Sequence, residues 1–121
     1  MKPSKTLNSL KKNRDFSQVY KRGKSRARFL FVVYVMPNDT GKNNFGLSVS
    51  KKVGNAVLRN RVKRLLRECL RLLDGLILGG FNIVVIARPA AGALAWDSGA
   101  FLKFNETLLQ LFTDLRLCKK T

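Results

Sequence analysis

Lys51-Lys52-Val53-Gly54-Asn55-Ala56-Val57-Leu58-Arg59-Asn60-Arg61-Val62-Lys63-Arg64-Leu65-Leu66-Arg67-Glu68 holds both the strongest periodicity and the densest charge in the chain. Its spacing predicts a short loop feeding an amphipathic helix over Asn55 to Leu73. On a 3.6-residue wheel, Leu58, Val62, Leu65, Leu66, Cys69 and Leu73 share one side. Asn60, Lys63, Arg64, Arg67 and Arg71 share the other, with Arg61 and Glu68 along one edge and Arg59 at the opposite boundary. The apolar side suits a core. A charge run is usually a solvated surface that mixes both signs; this one has a single acid, Glu68, and would repel itself without an anionic partner.

The whole composition leans the same way. The chain has 121 residues, of which 45% are hydrophobic, enough for one folded domain over 1–121 with a real core. Residues 1–12 and 118–121 read as loosely ordered ends. Lys and Arg number 24 against 7 Asp and Glu, a formal charge of +17. Such a charge makes a polyanion the default partner, with nucleic acid first; an anionic membrane surface would be attracted too. Two cysteines make no disulfide framework. Cys69 falls on the apolar side of the helix, where a thiol acts as a small hydrophobe, and Cys118 lies in the tail. Met1 to Leu10 lacks the apolar core of a secretory signal, and the run Phe29 to Met36 is far short of a membrane span, so a cytoplasmic protein is expected.

Toward the N-terminus, the strand nearest the helix is Asn44 to Ser50, which alternates strictly. Phe45, Leu47 and Val49 take one face, while Gly46, Ser48 and Ser50 take the other. That second face is either a solvated sheet surface or a shelf low enough for a nucleotide backbone. Pro37 to Gly41 is a turn, and Phe29 to Met36 is a strand apolar on both faces, as befits the centre of a covered sheet. Lys24 to Arg28 is a basic extended lead-in that could hold a short extra strand. A first helix is expected over Arg14 to Arg22, with Asn13 as cap and Gly23 as stop. Its Phe16, Val19 and Tyr20 share a face; the rings either pack into the core or edge a groove and stack on bases.

Toward the C-terminus, Asp74 to Gly80 breaks the helix and Phe81 to Ala87 reads as another buried strand. Ala90 to Ala95 reads as a loop. Asp97 or Ser98 would cap a last helix with an apolar stripe of Phe101, Phe104, Leu108, Leu111, Phe112 and Leu115. The strand-helix-strand unit from Phe45 to Ala87 favours a parallel pair, for which a right-handed crossover is the default. The bottom-up architecture is a small sheet with helices packed on it.

Catalytic chemistry is sparse. There is no histidine, and the acids Asp15, Asp39, Glu68, Asp74, Asp97, Glu106 and Asp114 are scattered. Zinc sites and Cys/His nucleophiles are therefore disfavoured, and no close acidic cluster of the two-metal kind stands out in sequence. Gly54-Asn55 lacks the Gly-Lys-Ser/Thr of a nucleotide loop, yet it can offer backbone N–H groups to a phosphate at a helix start. The chain is expected to bind, position and neutralise, with no catalytic residue and no metal of its own. Arginine suits the task because its planar fork pairs bidentately with phosphate and stacks on bases. Engagement of about six phosphates would give a log affinity against log salt slope of about −4 to −5.

The run from Lys51 to Glu68, centred on Arg59-Asn60-Arg61, resembles the signature of the protein subunit of bacterial ribonuclease P. Leu10-Lys11-Lys12, Asp15-Phe16, Val19-Tyr20 and Gly23 are similar to that family's first helix, and Phe45 to Ser50 to the strand before the signature. The likeness runs from about Leu10 to Arg88; beyond Pro89 only the pattern matches. It implies an α+β fold: a two-layer sandwich in αβββαβα order, with a four-stranded mixed sheet and a left-handed crossover in place of the default hand. It further implies that the catalyst is an RNA subunit, which cuts precursor tRNA to leave the mature 5′ end. Magnesium would enter through that RNA, with no cofactor bound tightly by the protein.

Carried over by position, the resemblance implies RNA-subunit contacts from Lys52, Arg59, Asn60, Arg61, Lys63, Arg64 and Arg67. It implies a cleft for the 5′ leader at Phe16, Tyr20 and Tyr34, with Lys51 placed where either surface could use it. Tyr20 stands where many members carry Phe, a change that keeps a stacking ring. The implied partners are the RNA subunit and precursor tRNA, with no membrane and no DNA. A small basic ribosomal protein, or another binder of structured RNA, fits the size and charge as well. A duplex-DNA module fits less well, since neither a helix-turn-helix pairing nor dimerisation heptads are present.

Overall fold

The computed structural model describes residues 7–119; the remainder of the two ends expected to be loose lies outside the described residues. Along the chain, β1 (Asn8–Ser9) precedes α1 (Asn13–Arg22), β2 (Lys24–Ala27), β3 (Phe31–Pro37) and β4 (Asn44–Ser48). Then come α2 (Ala56–Asp74), β5 (Phe81–Ala87), α3 (Pro89–Leu94) and α4 (Ala100–Asp114). The strands form one mixed sheet in the order β1-β4-β5-β3-β2. β4 and β5 are parallel neighbours joined through α2, β3 runs antiparallel between β5 and β2, and β1 adds a parallel pair at the outer edge.

Register sorts the side chains into two faces, because successive strand residues point to opposite sides. Val33 lies opposite Val85, and Val85 beside Leu47. Phe31, Val33, Val35, Phe45, Ile83, Val85 and Ala87 thus share one face and are all buried. Val62, Leu65, Leu66, Cys69, Leu70 and Leu73 of α2 and Phe104, Leu108, Leu111 and Phe112 of α4 complete this core. Phe31 meets Phe104 edge to face, with centroids 4.9 Å apart, a favoured aromatic geometry. The apolar side of the long helix is therefore the side that was expected to be buried. Its start is also as expected, for the Asn55 side chain accepts from the Leu58 N–H at 2.9 Å.

α1 packs on the opposite face of the sheet, where Val19 is fully buried. Gly23 ends it, though in extended backbone; what the position demands is space. A Cβ there would lie 2.5 Å from the Val19 carbonyl oxygen and 2.8 Å from that of Val35. The residue preceding the helix is Lys12, which makes no side-chain cap, so the expected cap at Asn13 is not used.

Other expectations are corrected. The sheet has five strands, not four, because Asn8–Ser9 pairs with Asn44 and Phe45, and Leu7 beside it packs against the core. At the other end, Cys118 bridges Ile77, and the Lys119 N–H donates to the Leu76 carbonyl at 3.0 Å. β3 begins at Phe31 rather than Phe29: the Arg28 N–H donates to the Phe31 carbonyl, closing a turn whose tip leaves Phe29 81% exposed. The supposed loop at Ala90 to Ala95 is mostly α3, started by Pro89 at its first turn. It docks through Gly92, where a Cβ would collide with the Val53 carbonyl. The last helix is preceded by Gly99 and has no side-chain cap, so neither Asp97 nor Ser98 serves as one.

Cys69 is fully buried, and its Sγ lies 3.8 Å from the Phe101 carbonyl oxygen. Burial first, and then the nearby Glu68 charge, push its thiol pKa up to about 12. The folded chain then keeps this proton where the unfolded chain loses it. The contribution to stability is full below the unfolded value near 9 and is lost as pH rises from there toward about 12. At pH 8, a thiol reagent is expected to label Cys118 fast and Cys69 only after denaturation. Equal labelling rates in the native protein would contradict this placement.

Candidate nucleic-acid interface

The long helix turns its polar side outward because its apolar side is committed to the core. Asn60, Arg64 and Arg67 are exposed there, while Arg59, Arg61 and Lys63 are half-buried along its flanks. Among the described residues, one α2 arginine has a carboxylate within 4 Å: Arg64, whose Nε is 3.7 Å from Glu68. That pair is exposed and one turn apart, a geometry that contributes only tenths of a kcal/mol. The well-formed ion pair is elsewhere, where Arg28 forks onto Asp114 at 2.9 to 3.2 Å. The α2 guanidinium and ammonium groups are thus left largely uncompensated.

Two of these arginines are fastened by carbonyls. Arg59 Nε donates to the Gly54 carbonyl at 3.2 Å, and Arg61 Nε to the Ala95 carbonyl at 3.2 Å. Lys51 and Lys52 are exposed in the turn after β4, where the Lys52 N–H donates to Ser50 Oγ at 3.3 Å. All seven residues assigned from the sequence to the RNA subunit therefore belong to α2 or to the loop that leads into it.

The aromatic residues come together on the other face of the sheet. Tyr20 meets Tyr34 edge to face at 5.1 Å, and Phe16 lies 6.4 Å from Tyr20, so the three rings form a row along α1 and β3. Tyr20 is 39% exposed, while Phe16 and Tyr34 are half-buried. Phe16 is partly committed to packing: a Cβ on Gly46 would lie 2.5 Å from its ring. The small face of β4 is consequently no open shelf at Gly46, which Phe16 covers. The ring thus packs with one side and remains half accessible with the other. Lys51 is not stacked on the row, since the one cation–ring contact among the described residues joins Arg61 to Trp96.

A cavity of about 470 Å³ lies between the N-terminal segment, β4 and α2. Lys11, Lys63, Arg67 and Arg71 line it together with Phe16 and Leu47, with no acid in the lining. Lys11 and Arg71 were not among the residues selected from the sequence, because nothing in their spacing tells a rim cation from any other surface charge. Trp96 was missed as well; a lone tryptophan between small residues was the available signal. Among the described residues, no three of Cys, Asp and Glu are placed to hold a metal ion, and no helix is long and apolar enough to cross a membrane.

Residues 5–112 match the family model described as Ribonuclease P. The chain is 42% identical over 110 residues to the ribonuclease P protein component of Alkaliphilus metalliredigens, covering 91% of this chain and 95% of that one. It is 50% identical over 83 residues to that of Lachnoclostridium phytofermentans, covering 69% and 72%. Among solved structures, the Staphylococcus aureus RNase P protein superposes with a TM-score of 0.80 at 36% identity, over 94% of this chain and all of that one (100%). The Thermotoga maritima RNase P protein gives 0.76 at 34% identity, over 86% and 94%.

Proposed function

The chain belongs to the family of bacterial ribonuclease P protein components, and from that premise we propose how its two surfaces divide the work of tRNA 5′-end maturation. The α2 face, with Lys52, Arg59, Asn60, Arg61, Lys63, Arg64 and Arg67, grips the RNA subunit. The row of Phe16, Tyr20 and Tyr34 receives the single-stranded 5′ leader of precursor tRNA, and Lys51 supplies charge to its backbone. The observation that carries this reading is the unbalanced cationic side of a helix whose other side is locked into the core.

Each surface suits its proposed ligand physically. Guanidinium groups spaced along a rigid helix can meet phosphates of a folded RNA without themselves being reordered on binding. Half-exposed rings offer π-faces to unstacked bases, which are available in a leader and absent from a duplex. The bond-breaking centre is assigned to the RNA: this chain has no histidine, and among the described residues no three of Cys, Asp and Glu gather where they could hold a metal ion. Magnesium is likewise assigned to the RNA, whose phosphates supply the hard oxygen ligands that the ion prefers.

The decisive experiment is reconstitution. The protein alone is expected to leave precursor tRNA intact, and to raise cleavage by the RNA subunit at low magnesium. Cleavage by RNA-free protein would overturn the assignment. Phe16→Ala is expected to weaken precursor tRNA binding by about 1–3 kcal/mol, the range for one base–aromatic stack, with mature tRNA unaffected. A variant that only melts earlier, with precursor affinity intact, would place Phe16 wholly in the packing.

A further inference from the structure

Trp96, the one tryptophan of the chain, sits between α3 and α4 and is 64% exposed. Its ring covers the Arg61 guanidinium, with Cζ 4.9 Å from the ring centroid. The Arg61 Nε also donates to the Ala95 carbonyl at 3.2 Å. These two contacts constrain a planar group in different ways: the hydrogen bond fixes one edge, and the indole fixes the plane. The terminal Nη groups of Arg61 have no acceptor among the described residues.

The platform beneath this arginine is itself held. Ala95 is fully buried. The Ala95 N–H donates to the Gly92 carbonyl at 3.3 Å, Asp97 to Leu94 at 2.9 Å, and Ala100 to Asp97 at 3.0 Å. Gly92 in turn sits against Val53, in the loop that starts α2. Arg61 is thus oriented from outside its own helix, while the exposed Arg67 has no hydrogen-bond or carboxylate partner among the described residues.

We propose that Trp96 is a positioning residue for RNA recognition. It holds the Arg61 guanidinium with its free nitrogens presented to a phosphate or base edge, and the RNA footprint continues from α2 onto the turn at 95–99. The inference rests on the reading of α2 as the grip on the RNA subunit and adds to it a second element of the fold. A tryptophan that merely shielded the arginine stem would leave RNA affinity untouched when removed.

The test uses the full chain and the RNA subunit, in a thermodynamic cycle of Trp96→Ala, Arg61→Ala and the double variant. Because Trp96 is the only tryptophan, acrylamide quenching of its fluorescence reports on the unmodified protein directly. RNA is expected to protect the indole from quenching. Trp96→Ala should weaken RNA binding about two- to fivefold at unchanged melting temperature, and Trp96→Phe should recover most of that loss. In the Arg61→Ala background the same change should cost nothing further, since the group it positions is gone. Additive losses, or a Trp96 still quenched in the complex, would overturn the proposal. If Trp96→Ala folds poorly, the quenching result and Trp96→Phe decide it. Failure of the unmodified chain to bind the RNA would instead sink the α2 reading, and this inference with it.

Discussion

Replacing Lys63, Arg64 and Arg67 together by alanine is expected to weaken RNA-subunit binding about 50- to 200-fold at physiological salt. Each cation that meets a phosphate releases condensed counterions, so three lost contacts flatten the slope of log affinity against log salt by about 2.1 to 2.7. From a 1 M reference down to about 0.15 M, that change in slope amounts to about two decades of affinity. The three side chains are suited to the experiment because none serves the core, and the one carboxylate near them, Glu68, makes only a 3.7 Å surface pair with Arg64. Alanine also has the highest helix propensity, so α2 should persist. Filter retention over a series of potassium chloride concentrations measures slope and affinity together, and circular dichroism checks the helix. An unchanged slope would remove this face from the interface.

Arg61 is left out of that set because its side chain has a second attachment, and the reason shows how far sequence reaches. The apolar stripe and the start of α2 near Asn55 were legible because both depend on neighbours within one helix turn. β5 was legible to the residue, being an apolar run bounded by a glycine pair and a proline. What escaped depends on partners distant in the chain. β1 exists because Asn8 and Ser9 find the edge of β4, 36 positions away in register. α3 exists because Gly92 lets it close on Val53; its own residues carry no amphipathic period. The cleft was half legible: Phe16 and Tyr20 share a helix face, but their meeting with Tyr34 and the cover over Gly46 come from the docking of α1 on the sheet. The same limit hid Trp96, whose significance lies in an arginine 35 residues upstream.

Leu66→Ala is expected to cost about 2–5 kcal/mol of folding stability while leaving the RNA affinity of the folded protein unchanged. Leu66 is fully buried in the core shared by α2, α4 and the sheet, so truncation removes apolar contact and leaves a cavity that rigid neighbours fill only in part. Arg67 is adjacent in sequence and exposed. The two positions therefore probe different faces of one helix, about 100° apart around its axis. Urea denaturation followed by circular dichroism gives the stability loss, and RNA titration well below the melting temperature gives the affinity. Affinity of the folded protein falling in step with stability would mean that the core sets the spacing of the cations; the two sides of α2 would then act as one unit. Unchanged affinity would show that the core supplies only a rigid rod, and that recognition resides in what the rod displays.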